Sequence, residues 1–260
     1  MRKHFVMLGT MLSLLGAIAM ANASVAIAGP LPDPLPCTPC FIGKLSLIDN
    51  PDDPTGKTKK LTDDLYFIDQ LAFAWKAGKG DITDGATIPE LFQPIIGGPF
   101  EADFLPAAVI HDHYTNKAHR VRSWRGTARV FYQAMVVNGV NIIKAKTMYY
   151  AVYAFGPHWD VLDKGVVCGK NCVFSAPFQL EIMTDKSVRA TTLVAQVPDN
   201  MQFAEEPSDF RNEHGDELRA LENKIAANEI RGKPYSLEEL EREAESKHST
   251  NVFLALNRLR

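Results

Sequence analysis

The sequence lacks the features by which several large protein classes are recognised. Its 260 residues include only four cysteines, and 31 acidic side chains slightly outnumber 28 basic ones, for a formal net charge of −3. Nucleic-acid binding requires an excess of basic charge on one surface, so we predict no nucleic-acid partner. The sequence also contains no phosphate loop, G-x-S-x-G elbow or H-E-x-x-H motif. The hydrolase classes that depend on those motifs therefore lack support.

Long apolar runs are also scarce, and the most prominent one lies at the N-terminus. Arg2 and Lys3 precede an apolar run over 5–20, and small residues follow it. This order is typical of a secretory signal peptide, with cleavage after Ala23 or Ala28. An uncleaved membrane anchor is the alternative, but the run is short for a membrane span. We therefore expect an exported protein, either periplasmic or secreted.

Export makes the cysteine spacing informative. Cys37 and Cys40 form one close pair in the sequence, and Cys168 and Cys172 form another. An even number of cysteines in an oxidising compartment predicts disulfides, which we expect to tie the N-terminal segment to the region after the helices. Local pairing is equally allowed, and the spacing would also suit a tetrahedral zinc site.

Changes in composition divide the chain into four segments. A signal peptide (1–28) precedes a proline-rich leader and polar loop (29–60), and a core domain (61–198) precedes a charged helical tail (199–260). The core changes from strand-like sequence to apolar helical patterns and back. We therefore predict an α+β fold in which a three-helix core packs on a small antiparallel sheet, with a C-terminal helical appendage.

Individual elements follow from periodicity and capping residues. Strands are expected over 41–49 and, as one bent or two short strands, over 65–75, with further strand-like patches at 178–182 and 193–197. The predicted core helices run from an Asp103 N-cap to Lys117, from Trp124 to Val137, and from an Asn141 N-cap to Phe155.

The tail carries three further helical patterns. One runs from Asp216 to Arg231, a capping box at Ser236 opens the second, and the third begins at Ser249 or Thr250. These helices form either a docked hairpin or a partly disordered arm that binds a protein partner.

The strongest candidate for chemistry is His111 with Asp112, an adjacent pair in an apolar helical run. A lone histidine in such a run is commonly a core residue, but a carboxylate beside it needs a cation or several donors. Neighbours on a helix diverge by about 100°, so the two side chains should lie on adjacent faces, with Asp112 on a metal and His111 on a water. Tyr114 lies one turn away and is a second catalytic candidate, whereas His113 should lie on the surface.

Asp84 and Gly85 form the natural second half of this site. A carboxylate followed by a glycine turn supplies hard oxygen ligands, which suit Ca²⁺ better than zinc. We therefore predict Asp84, Gly85 and Asp112 as the metal site. An ordinary Asp-Gly turn is the alternative interpretation.

The same residues carry a family resemblance. The segment from Asp84 to Pro89, the run from Ala107 to Tyr114, Arg125 with the run from Val130 to Met135, and the motif from Tyr150 to Gly156 resemble bacterial and phage domain-of-unknown-function family 1353. The resemblance covers roughly Leu61 to Trp159 and implies no established activity.

More distantly, the order is similar to prokaryotic secreted phospholipases of the A(2) type. That resemblance implies His111 as general base and Asp112 and Asp84 as Ca²⁺ ligands. The family's orienting aspartate would stand three residues before Phe131, where this chain has Ala128. Asp160 is a candidate substitute.

Two functions follow as expectations. The first is an exported envelope or interaction protein on a hydrolase-like fold, with the C-terminal helices free to bind a protein partner. The second is a Ca²⁺-dependent ester hydrolase acting at a phospholipid or envelope surface, with His111 as base.

Overall fold

The structure is a computed structural model that describes residues 37–85, 103–116, 119–120, 122–162, 172–174 and 202–258. The predicted signal peptide with its cleavage sites, Cys168, and the strand-like patches at 178–182 and 193–197 lie outside these residues. The described residues combine helices with small antiparallel sheets, which confirms the predicted α+β class.

The described strands are short. They are β1 (Cys40–Ile42), β2 (Leu47–Asp49), β3 (Lys59–Leu61), β4 (Leu65–Ile68), β5 (Ala74–Ala77), β6 (Ile82–Thr83), β7 (His158–Leu162), β8 (Cys172–Phe174) and β9 (Gln202–Glu206). They form three antiparallel sheets with the orders β1–β4–β5, β2–β3–β6 and β7–β9–β8. The strands β7 to β9 were not predicted.

The single strand predicted over 41–49 is wrong. Its two ends belong to different sheets, since β1 pairs with β4 and β2 pairs with β3. Gly43 lies between them with a φ of +90°, a conformation that residues with side chains rarely adopt. A Cβ there would also lie 3.0 Å from the Asp64 carbonyl oxygen. The prediction of two short strands after Leu65 holds, because β4 and β5 form a hairpin.

The cysteine pairing also differs from the expectation. Cys37 is bonded to Cys40, with Cα atoms 5.7 Å apart, so the local alternative holds and the expected link to the region after the helices is wrong for this pair. Two cysteines in one tight turn already lie within the distance that a disulfide spans. The zinc alternative fails for this pair as well. Cys172 begins β8.

Three helices form the centre of the fold: α1 (Leu105–Thr115), α2 (Trp124–Val137) and α3 (Ile142–Phe155). Helix α2 has the predicted bounds, and the predicted Asn141 cap of α3 accepts a hydrogen bond from the Ile143 amide at 2.9 Å. Helix α1 is shorter than predicted, since Phe104 and not Asp103 is its N-cap. The Asp103 carbonyl instead accepts a hydrogen bond from the Asn138 side chain.

The core is built around α3. Its tyrosines Tyr149, Tyr150 and Tyr153 are fully buried, and α3 contacts α2 on one side and the tail helices on the other. Helix α1 packs against α2 and against strands β5 and β6. This packing places one face of α1 directly over the end of β6.

The tail forms α4 (Gly215–Ile230), α5 (Leu237–Lys247) and α6 (Val252–Arg258). Its apolar residues belong to the same core cluster as α1 to α3, so the docked alternative is confirmed over the interaction arm. The predicted capping box is also present, since Ser236 and Glu239 exchange side-chain-to-backbone hydrogen bonds. No helix among the described residues is long and apolar enough to cross a membrane.

Candidate functional site

The candidate residues meet where β6 runs under α1. Strand β6 is held in place by pairing with β3, and α1 packs against it. Gly85 follows with a φ of +78°, so the Asp84–Gly85 turn has the left-handed conformation for which glycine is suited. The structure therefore brings the two predicted halves of the site together.

Asp112 is tied to this turn through Thr83. The Thr83 hydroxyl donates a hydrogen bond to Asp112 Oδ2 and accepts one from the Gly85 amide at 3.0 Å. Burial raises the pKa of the Asp112 carboxyl, and the nearby Asp84 carboxylate raises it further, against the opposing effects of His111 and Thr83. Asp112 thus lies in a mostly buried position where its charge is poorly compensated.

His111 faces this carboxylate. Its Nδ1 lies 3.9 Å from Asp112 Oδ1, and its side chain is 14% exposed. The two side chains were expected on adjacent faces rather than pointing to each other, and this approach of Nδ1 to Oδ1 differs from that expectation. The Thr83 hydroxyl holds one Asp112 oxygen and leaves the other turned toward the imidazole. On its other side, the His111 ring packs 5.0 Å from the Phe131 ring, centroid to centroid.

The position expected to carry an orienting aspartate is filled by Ala128, which is buried in the core. Asp112, and not a residue at position 128, presents a carboxylate to His111. Asp160, the suggested substitute, lies on β7, and its side chain is outside the described residues.

Tyr114 lies against the sheet. Its hydroxyl accepts a hydrogen bond from the Lys76 amide at 3.0 Å, and its ring meets the Trp75 ring edge-on at 4.9 Å. Burial raises the pKa of its hydroxyl. These contacts dock α1 on β5, and the catalytic role of Tyr114 stays a prediction.

A second cluster beside the first was missed from the sequence. The surface position predicted for His113 is wrong, because its side chain is only 17% exposed and its Nδ1 lies 2.5 Å from Asp81 Oδ2. The His113 ring also stacks on the His119 ring at a centroid distance of 4.1 Å. The available signal was alternation. Asp81 immediately precedes β6 and Thr83 ends it, so the two lie two residues apart, and they contact the consecutive α1 residues His113 and Asp112.

The charges of this second cluster are well matched. Burial would raise the pKa of Asp81, but the hydrogen bond and the electrostatic interaction with His113 outweigh burial and leave that pKa lowered. Burial lowers the pKa of His119, and the neighbouring His113 lowers it further. Together these effects outweigh the opposing attraction of the Asp81 carboxylate and disfavour the charged form of His119.

Comparison with known proteins places these residues inside a family. The model for "Protein of unknown function (DUF1353)" matches residues 59–152, which include both clusters. The chain is 36% identical over 211 residues to the uncharacterized protein y4iH of Sinorhizobium fredii (strain NBRC 101917 / NGR234), covering 80% of this chain and 78% of that protein. It is 43% identical over 107 residues to the uncharacterized protein y4jT of the same strain, covering 41% of this chain and 31% of that one.

No solved structure matches the chain. The distant similarity to secreted phospholipases stays a prediction from the residues alone. The agreement with y4iH over most of both chains is what decides membership, and the protein belongs to the DUF1353 family of proteins of unknown function.

Proposed function

We propose that this protein is an exported hydrolase of ester bonds, with His111 as its general base. The observation that carries the proposal is the approach of the Asp112 carboxylate to His111 Nδ1, at 3.9 Å. A carboxylate in that place selects the imidazole tautomer and stabilises the imidazolium that forms when the base takes a proton. Asp112 thereby supplies what Ala128 does not.

The separation is longer than a hydrogen bond, which requires about 3 Å between heavy atoms. Hydrogen bonds between catalytic groups are commonly long before substrate binds and tighten in the complex. With Nδ1 turned to Asp112, Nε2 is the nitrogen that would take a proton from water. The exposed part of the His111 ring gives that water access.

The residues present also fit a bound Ca²⁺. Asp84, Asp112 and the Thr83 hydroxyl offer hard oxygen atoms. The pKa of Asp112 is raised first by burial and then by the nearby Asp84 carboxylate, and a bound cation would offset both effects. Ca²⁺ takes about six to eight oxygen ligands, so water and substrate would complete the set. When bound, the ion would polarise the ester carbonyl.

The test is ester hydrolysis by purified protein without its predicted signal peptide. Release of fatty acid from phospholipid mixed micelles and of chromophore from a short-chain ester would be measured with Ca²⁺ and with chelator. His111→Gln should lower kcat/KM by about 10³-fold or more, because the base is lost. His248→Gln, with a side chain of similar exposure in the tail, is the matched control.

Two results decide the outcome. Calcium-dependent hydrolysis that His111→Gln abolishes and His248→Gln retains would support the proposal. Hydrolysis that is absent, or that survives in folded His111→Gln, would overturn it.

The β4–β5 hairpin favours a second candidate, an envelope protein that contacts a lipid surface. Asp69 fixes the loop, since its carboxylate accepts hydrogen bonds from the Leu71 and Phe73 amides and from Trp75 Nε1 at 2.8–2.9 Å. This ordered loop leaves the Leu71 side chain 76% and Phe73 52% exposed. Apolar side chains displayed on a fixed loop suit insertion into the interfacial region of a bilayer.

Sedimentation with phospholipid vesicles would test this candidate. A double change of Leu71 and Phe73 to serine should release the protein from vesicles, whereas Ile230→Ser, at an 88% exposed apolar position elsewhere, should not. Equal sedimentation of the two variants would exclude the hairpin as the contact.

A further inference from the structure

We propose that Asp81, His113 and His119 form a binding site for a divalent transition-metal cation, of which Zn²⁺ is the best fit. The ligand atoms of these three side chains lie within 4.8 Å of one another. The cluster is separate in composition from the proposed ester site, since it shares no residue with His111, Asp112 or Asp84.

Three parts of the chain converge to build the cluster. Asp81 immediately precedes β6, His113 lies in the last turn of α1, and His119 follows that helix. The position of the Asp81 carboxylate is also fixed by the backbone, because its Oδ2 accepts a hydrogen bond from the Gly78 amide at 2.7 Å. The packing of α1 on β6 therefore positions the ligands.

His119 carries the observation that points to a ligand. Its Nδ1 is buried and has no hydrogen-bond partner. A buried polar atom without a partner is destabilising, so an unpaired buried nitrogen requires an explanation. An ion bound at this nitrogen would supply the missing partner.

The other two ligands already lie in contact. His113 Nδ1 and Asp81 Oδ2 are 2.5 Å apart, which is a distance bridged by a shared proton. A metal ion would displace that proton, as metal binding to histidine generally does. Ligands of tetrahedral Zn²⁺ lie about 3.4 Å from one another, given bond lengths of about 2.0–2.1 Å. Displacing the three ligand atoms by roughly an ångström would bring them to that spacing.

The ligand set also selects the metal. Two imidazoles and one carboxylate form the three-ligand arrangement of zinc sites whose fourth position is taken by water or substrate. Ca²⁺ and Mg²⁺ prefer oxygen ligands and would compete poorly for two nitrogens. The proposed Ca²⁺ site at Asp84 and Asp112 has the opposite preference, so the two sites should be distinguishable by metal alone.

Competition with a chromophoric zinc chelator would test the site, using purified protein without a polyhistidine tag. Wild type should withdraw one equivalent of Zn²⁺ from the chelator. The same assay with Ca²⁺ in place of Zn²⁺ should show no withdrawal. His119→Ala and Asp81→Asn should each weaken Zn²⁺ binding by at least about tenfold, because each removes one of three ligands. His119 lies after the helix, so its variant is expected to fold.

His111→Gln is the matched control, since it removes the adjacent imidazole outside the cluster. It should retain full Zn²⁺ affinity even though it abolishes the proposed ester hydrolysis. The proposal would be overturned if wild type took up no Zn²⁺, or if His119→Ala and Asp81→Asn bound it as tightly as wild type. Loss of binding in His111→Gln would likewise overturn it, because the metal would then belong to the other site.

Discussion

Two largely buried carboxylates, Glu241 in the tail and Asp112 in the candidate site, have opposite electrostatic environments. Glu241 is 2% exposed and accepts hydrogen bonds from Arg125, Arg129 and Tyr149. Burial alone would raise its pKa, but the two guanidinium groups outweigh burial and leave the pKa lowered. Asp112 has a hydroxyl and an imidazole for partners and another carboxylate nearby, and its pKa is raised.

Carboxylates whose charge is compensated by neighbouring cations, such as Glu241, stabilise the fold. Asp112 differs because the fold leaves its charge poorly compensated. A buried charge is retained at low cost only when cations and donors surround it, as they do at Glu241. The tail repeats this pattern at other carboxylates, with Glu217 on Tyr150 and Glu229 on Lys146. A raised carboxylate pKa in a partly open position is characteristic of functional sites.

The largest expected effect comes from breaking the compensated carboxylate. Glu241→Gln removes the negative charge that two arginines share and replaces one acceptor oxygen with an NH2 donor, so the free energy of unfolding should fall by about 3–5 kcal/mol. Urea unfolding followed by circular dichroism would measure it. Ester hydrolysis per folded molecule should not change, since Glu241 lies outside the site.

Glu238→Gln provides the matched control. Glu238 pairs with the same Arg129 but is 53% exposed, and exposed ion pairs contribute about 0–1 kcal/mol. Equal losses of unfolding free energy in the two variants would contradict the claim that burial makes Glu241 important for stability.

A pH effect of intermediate size is expected from His158, a buried histidine with one ring nitrogen that makes no hydrogen bond. Its Nε2 donates to the Tyr153 carbonyl at 2.8 Å, but Nδ1 is buried without a partner, and burial lowers the pKa to about 4 from the ordinary 6.5. The unfolded chain therefore takes up the proton first. Stability from His158 is present above pH 6.5 and is lost as pH falls toward 4, by on the order of 2–3 kcal/mol.

His158→Gln keeps a side-chain donor and cannot titrate. Urea midpoints of the variant and of wild type, measured between pH 7 and pH 4.5, should converge as the pH falls. Parallel midpoints over that range would show that the acid loss of stability arises from other groups.

The sequence predicted those parts of the fold that local rules control. Helix α2 and the Ser236 capping box follow from periodicity and from side-chain caps within a few residues. The start of α1 was missed because tertiary contact decides it: the Asp103 carbonyl is engaged by Asn138. The division of 41–49 between two sheets depends on pairing partners that are distant in the chain.

The same limit applies to the site. Residue types and order were enough to place Asp84 beside Asp112, since both lie in recognisable segments. The approach of Asp112 to His111 was missed because it depends on Thr83, which has no marked signal in the sequence. The sequence likewise gives no signal for His119, because its contact with His113 depends on tertiary structure.

The smallest expected stability effect, and the sharpest functional one, comes from Thr83→Val. Valine keeps the β-branched shape and removes the hydroxyl that donates to Asp112 and accepts from the Gly85 amide. Loss of these bonds should cost about 1–2 kcal/mol of unfolding free energy.

Because the Thr83 hydrogen bond opposes the rise in the Asp112 pKa, its removal should raise that pKa further. In the pH profile of kcat/KM for ester hydrolysis, the fall in activity on the acid side should then move to higher pH. Thr147→Val, which removes a hydroxyl bonded only along helix α3, is the matched control and should leave this acid-side fall in place. An acid-side fall that does not move in folded Thr83→Val would mean that ionisation of Asp112 does not govern the activity of His111.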